Sequence, residues 1–313
     1  MKRLLTLLAL LLPVVAGAQS LTITHLSETH SMVQVSGHNR YILLPVQETA
    51  QEAVVKVLSN GTVVLKANVS LAIDKTDYLV PLDLGEWNGS SILLDITMRQ
   101  GRGVRRDPSD DVCWSEMTTA PAFNFANKEK KYRPTYHFSP EWGWMNDPNG
   151  MVYKDGEWHL FFQYNPYGSF WGNMHWGHAV SKDLVHWENL GIALAPDDLG
   201  AIFSGSAIVD KENVAGFGRN AIIAMYTSDG DSQTQSIAYS NDNGRSFTKY
   251  AGNPVIMAED TRDFRDPKLF WDPQSKQWKV ILAAGQEVQF YSSDNLKDWT
   301  YDSSFGLAYG NHN

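Results

Sequence analysis

The sequence predicts an all-β chain, a sandwich-like N-terminal domain followed by a β-propeller of which about three blades are present. Three observations lead there. Residues 19–127 contain short runs of β-branched and aliphatic residues without a sustained helical period. After Tyr136 short aromatic strands alternate with Gly, Asn, Asp and Pro turns. Within that second region a segment recurs three times: a strand, a Ser/Asp/Asn turn, then a large aromatic.

The elements follow in order. Lys2 and Arg3 precede an apolar run over 4–15 and the small residues Ala16-Gly17-Ala18. This is a signal-peptide pattern, too short to span a bilayer, with cleavage expected after Ala18 and a periplasmic or secreted product. Strands are expected over 33–35, 41–46, 53–58, 62–69, 78–82 and 92–98, with Ser59-Asn60-Gly61 as a hairpin turn. Residues 101–111 are charged and turn-rich, and 128–131 form a charged linker ended by Arg133-Pro134. The expected domains are therefore a leader over 1–18, a β domain over 19–127 and the propeller region over 128–313.

In the propeller region the repeated segments are 179–187, 237–247 and 290–299, preceded by strands over 158–163, 221–227 and 278–283. Their aromatics, Trp187, Phe247 and Trp299, stand 60 and 52 residues apart, the length of a four-stranded blade plus loops. Three blades do not close a ring and would expose strand edges, so the sequence reads as cut short.

Composition narrows the function. Without Lys2 and Arg3 there are 24 basic and 35 acidic side chains, a formal charge of −11, and no basic stripe. Nucleic acid and membrane insertion are poor fits. The single Cys113 makes no intrachain disulfide and reads as a small buried side chain. No zinc spacing or phosphate loop occurs, so neither a metal nor a cofactor is expected. The 11 Trp, 13 Tyr and 13 Phe often neighbour Asn, Asp, His and Gln, a mixture suited to sugars.

The chemistry centres on Trp144-Met145-Asn146-Asp147-Pro148-Asn149-Gly150. Pro148 and Gly150 predict a tight turn that aims Asp147, with Asn146 as an amide donor beside it and Trp144 as a face for a sugar ring. A carboxylate held among donors stays ionised, as a nucleophile must. Four further motifs follow in order: Phe161-Phe162-Gln163-Tyr164-Asn165-Pro166, Trp171-Gly172-Asn173-Met174-His175-Trp176-Gly177-His178, Phe203-Ser204-Gly205-Ser206-Ala207 and Phe264-Arg265-Asp266-Pro267.

Together these five motifs resemble glycoside hydrolase family 32, the invertases, inulinases and levanases, over residues 136–313. The resemblance implies an incomplete five-bladed propeller and a retaining β-fructosidase acting on fructan or sucrose. It implies that Asp147 attacks the anomeric carbon and that Asp266 binds fructose hydroxyls and stabilises the transition state. Arg265 pairs with sugar oxygens or carboxylates. Asn146, Gln163, Trp171, Phe203 and Ser204 line the fructose pocket. Asn173 and His175 stand either behind the pocket or in a folding role. The N-terminal domain resembles an extra domain preceding the propeller in some gut-bacterial members.

Arg106-Asp107-Pro108 also spells Arg-Asp-Pro, but it lacks aromatic flanks and reads as a turn. The family's acid/base is a Glu in a Glu-Cys pair, and no such pair exists here. Tyr309-Gly310-Asn311-His312-Asn313 resembles the sequence just before it. Glu141, Glu259 and Glu287 read as structural or exposed. The expectation is an inactive fragment. Two alternatives stay open: a non-catalytic fructan-binding protein, and a related propeller glycosidase for another sugar. Linkage preference, exo or endo action, fructosyl transfer and oligomeric state are not legible.

Overall fold

The computed structural model describes residues 20–37, 39–87, 89–99, 107–124, 133–258, 261 and 263–306. The leader, the linker at 128–131, Arg106, Glu259 and the 309–313 segment lie outside them.

The N-terminal part contains β1 (Ser20–His25), β2 (His30–Ser36), β3 (Tyr41–Val46), β4 (Ala53–Ser59), β5 (Thr62–Val69), β6 (Tyr78–Asp83), β7 (Ile92–Thr97) and β8 (Thr118–Ala120). Five strands form one sheet in the order β1-β2-β7-β4-β5, and β6-β3-β8 form a second. Alternation explains why they pack. Ala53, Val55 and Val57 of β4 and Ile92, Leu94 and Ile96 of β7 point inward, against Ile42, Leu44 and Val46 of β3. Each such buried side chain stabilises the fold by roughly 1.5–3 kcal/mol for the larger aliphatics. A short helix, α1 (Val112–Glu116), adds Cys113 and Trp114 to this core. Asn60 and Gly61 both have positive φ, 49° and 84°, as a two-residue hairpin turn requires. Asp107 caps a short 3-10 turn, its carboxylate accepting from the Ser109 backbone N–H at 3.0 Å.

Three four-stranded antiparallel sheets follow. The first holds β9 (Trp144–Lys154), β10 (Glu157–Asn165), β11 (His175–Ser181) and β12 (Trp187–Leu194). The second holds β13 (Ala201–Asp210), β14 (Ala221–Asp229), β15 (Gln233–Ser240) and β16 (Thr248–Lys249). The third holds β17 (Phe264–Asp272), β18 (Gln277–Ala284), β19 (Glu287–Ser293) and β20 (Thr300–Phe305). Each is a meander in chain order, and β9, β13 and β17 pack side by side as the inner strands. These are three blades of a propeller, and they do not close a ring among the described residues.

The recurring segment has one physical cause. In the first blade Ser181 Oγ accepts the Asp183 and Leu184 N–H groups, and Asp183 accepts those of Val185 and His186. In the third, Ser293 and Asn295 do the same for Asn295, Leu296, Lys297 and Asp298. Trp187 and Trp299 close these turns, each indole donating at 3.2 Å to the carbonyl of a left-handed Leu, Leu184 or Leu296. Side-chain oxygens thus satisfy the backbone between the third and fourth strand of a blade.

One expectation is corrected. Pro148 to Gly150 form no tight turn; they lie within β9. β9 is the edge of its sheet, the position in a sheet where a proline, which has no N–H to donate, is tolerated. Gly150 stays in the strand at φ 58°, where a Cβ would stand 2.8 Å from the Phe161 ring. The two domains share side chains as well. Tyr167 is buried in the N-terminal core, and Trp142 packs against it while donating to the Pro166 carbonyl at 2.9 Å.

Candidate active site

Each inner strand carries one motif, and each motif sits on an irregularity of its ladder. In β9, Met145 pairs Tyr164 and Pro148 pairs Phe162, so Asn146 and Asp147 together oppose Gln163. In β13, Phe203 pairs Thr227 and Gly205 pairs Tyr226, leaving Ser204 as an extra residue. In β17, Arg265 pairs Ala283 and Lys268 pairs Ile281, so Asp266 and Pro267 oppose Leu282. A bulge bends its strand and re-aims a side chain. Here bulges release Asn146, Asp147, Ser204 and Asp266 from the regular in-out alternation.

Asp147 is held from two sides. Asn146 Nδ2 donates to Oδ1 at 3.0 Å, and Ser204 Oγ of the next blade donates to Oδ2 at 3.1 Å. Asn149 Nδ2 donates to the Asp147 carbonyl at 3.3 Å. Gln163 is buried, and its Nε2 and the Asn146 Oδ1 have no protein hydrogen-bond partner. Buried polar atoms left open beside a carboxylate suit a ligand rich in hydroxyls.

Asp266 lies on the third inner strand with φ 60°, a left-handed angle that costs a non-glycine residue energy. Its N–H donates to Thr227 Oγ1 at 3.2 Å. Thr227 donates in turn to Gln235 Oε1 at 2.8 Å, and Gln235 Nε2 donates to the Phe264 carbonyl at 2.8 Å. Thr227 and Gln235 are fully buried and brace the bulge from behind. Protein crowding raises the Asp266 carboxyl above the ordinary range, Arg265 opposes this, and the charge on Asp147 adds to it. Asp266 therefore senses the Asp147 charge across the site. About half of the Asp266 side chain is exposed, which keeps it open to a ligand. Arg265 pairs directly with Asp263 at 2.6 Å and lies 3.9 Å from Asp266.

Trp171 is 60% exposed and stands edge-on to Phe203, 6.1 Å between ring centres. The structure thus brings Asp147, Asn146, Gln163, Ser204, Phe203 and Trp171 together on the first two blades, with Asp266 and Arg265 on the third. Asn173 and His175 are not part of this group. Asn173 bonds the N-terminal domain, and His175 is buried with Nδ1 donating to the Asn173 carbonyl. Thr227 and Gln235 escaped sequence reading because an isolated Thr and Gln in a strand carry no motif. Glu141 is exposed and Glu287 is partly exposed at the start of β19. Among the described residues no cluster of three or more His, Cys, Asp or Glu could hold a metal, and no helix is long and apolar enough to cross a membrane.

A propeller with a carboxylate on each of two inner strands, β9 and β17, that flank a third, β13, backed by open polar groups and an aromatic rim, has the make-up of a glycoside hydrolase. Residues 137–312 match the glycosyl hydrolases family 32 N-terminal domain, and the chain belongs to that family. Residues 27–136 match a domain of unknown function, DUF4980. The chain is 58% identical over 198 residues to the levanase of Bacillus subtilis, covering 62% of this chain and 29% of that protein. It is 44% identical over 216 residues to the extracellular exo-inulinase of Aspergillus awamori, covering 59% and 40%. The solved structure of a fructofuranosidase from Schwanniomyces occidentalis complexed with fructose superposes with a TM-score of 0.54 at 46% identity, covering 56% of this chain and 37% of that one. The chain therefore spans well under half the length of these relatives.

Proposed function

We propose that this protein hydrolyses terminal β-D-fructofuranosyl linkages of fructans or sucrose by retaining double displacement. The observation that carries the reading is the Asp147 carboxylate, held by Asn146 and Ser204 on adjoining inner strands. Asp147 attacks the anomeric carbon and forms a fructosyl-enzyme, which water then hydrolyses. Asp266 takes fructose hydroxyls and stabilises the charge that develops, with Arg265 holding the carboxylate side of the site. Asn146, Gln163, Ser204, Phe203 and Trp171 bind the ring. The names of the relatives, a levanase, an exo-inulinase and a fructofuranosidase complexed with fructose, support the substrate class.

Retaining chemistry needs a second carboxyl about 5 Å from the first as acid and base. No Glu of these 313 residues stands in a Glu-Cys pair. Since a placed acid contributes roughly 100- to 10,000-fold, the 313 residues alone are expected to turn over weakly or not at all. Product analysis of the full-length gene product on levan, inulin and sucrose tests the reading, with the 313-residue chain and Asp147→Asn in parallel. Fructose release by the full-length product, reduced about 10⁴-fold or more by Asp147→Asn, is expected. Release unaffected by that substitution overturns the assignment. Export is tested by sequencing secreted protein, whose first residue should be Gln19.

A further inference from the structure

We propose that the N-terminal β domain is a positioning element of the sugar pocket, acting through a tether on the loop that carries Trp171; this rests on the fructosyl pocket proposed above. The tether is Asn173. Its Oδ1 accepts the Asn68 backbone N–H at 2.7 Å, and its Nδ2 donates to the Asn68 carbonyl, also at 2.7 Å. Asn68 lies on β5, the last strand of its sheet, so these are backbone groups of an open edge. One side-chain amide therefore occupies the place a further strand would take.

The same amide reaches into the propeller. Asn173 Nδ2 also donates to Asn165 Oδ1 at 3.2 Å, and Asn165 Nδ2 donates to the Phe170 carbonyl at 2.8 Å. A second link, from Ser169 Oγ to the Glu48 carboxylate, joins the loop to the N-terminal domain on the other side of Trp171. Trp171 is thus flanked by two attachments to the N-terminal domain. A cavity of about 30 Å³ lies at this junction, lined by Glu48 and Asn68 of the N-terminal domain and by Ser169, Trp171 and Asn173 of the loop. The Trp171 side chain points elsewhere than a core: it is largely exposed and set edge-on to Phe203, next to Ser204, which donates to Asp147. An exposed indole loses freedom when it stacks on a sugar, and a loop already fixed lowers that loss.

Asn173 has φ 45°, so Asn173→Gly deletes the tether without straining the backbone, whereas Ala would add strain. In the full-length gene product, Asn173→Gly should speed hydrogen–deuterium exchange of peptides spanning 168–172. It should raise KM for fructan roughly three- to tenfold while kcat stays within about twofold. In a Trp171→Ala background the KM effect of Asn173→Gly should vanish, because nothing is left to position. Ser169→Ala, at an exposed position, should act in the same direction. Unchanged exchange over 168–172 overturns the tether. An equal KM rise in the Trp171→Ala background overturns action through Trp171. Absent fructose release by the wild type, with faster exchange in Asn173→Gly, overturns the assigned reaction and leaves the tether standing.

Discussion

Asp266 combines two demands that pull against each other, an unfavourable backbone angle and a half-open carboxylate. Thr227 and Gln235 resolve them by fixing the Asp266 N–H and the Phe264 carbonyl on either side of Arg265. Asn accepts left-handed angles better than most residues. Asp266→Asn should therefore fold with a Tm change below about 4 °C, yet lower kcat by roughly 10²- to 10³-fold through lost charge stabilisation. Asp266→Ala keeps the strain without the side chain that tolerates it, and urea unfolding should register a loss of about 1 kcal/mol or more. At this scale the sequence was informative about identity and silent about bracing. Asp147 and Asp266 stood in strings specific enough to find. Thr227, Gln235 and the amide of Asn173 act through partners 8 to 105 residues away, and nothing local marks them.

Strands were legible where their burial alternates or where a turn announces their end. The Ser/Asp turns of the first and third blades are side-chain devices written into consecutive residues, which is why the repeat could be read. The 144–150 segment reads as a turn because Pro and Gly usually mark turns, whereas in the fold an edge strand tolerates both. Three-residue β8 carries too short a pattern to be seen. Bulges are equally illegible, since each is defined by a partner strand. The tie between blades depends on one of these strands. Ser206 Oγ donates to the Pro267 carbonyl and accepts the Leu269 N–H, both at 2.8 Å. Ser206→Ala leaves two buried backbone groups on β17 unpaired, and denaturant unfolding should show a loss of about 1–3 kcal/mol.

Across the whole molecule, three buried imidazoles link stability to pH: His159, which burial lowers, and two for which the shift is large. Burial pushes His175 down to about 4 and His178 down to about 3, the latter helped by the neighbouring His159. The unfolded chain binds protons at these sites near the ordinary His value of about 6.5, while the fold refuses them. Their contribution is thus fully present above pH ~6.5 and is lost as pH falls toward the folded values. By pH 5 His175 and His178 can each cost up to about 2 kcal/mol, so Tm should drop on acidification from pH 7. His175→Gln and His178→Gln should flatten that slope in thermal melts. A second property of the whole concerns the three bulges on neighbouring inner strands. Each bulge adds one residue beyond what the hydrogen-bond ladders that hold the blades require. Excising Ser204 would make the rungs Phe203–Thr227 and Gly205–Tyr226 continuous, with every other rung of that strand pair unchanged. Trimming one residue from each bulge should yield a blank scaffold, intact in architecture and emptied of chemistry, on which a different recognition face could be installed.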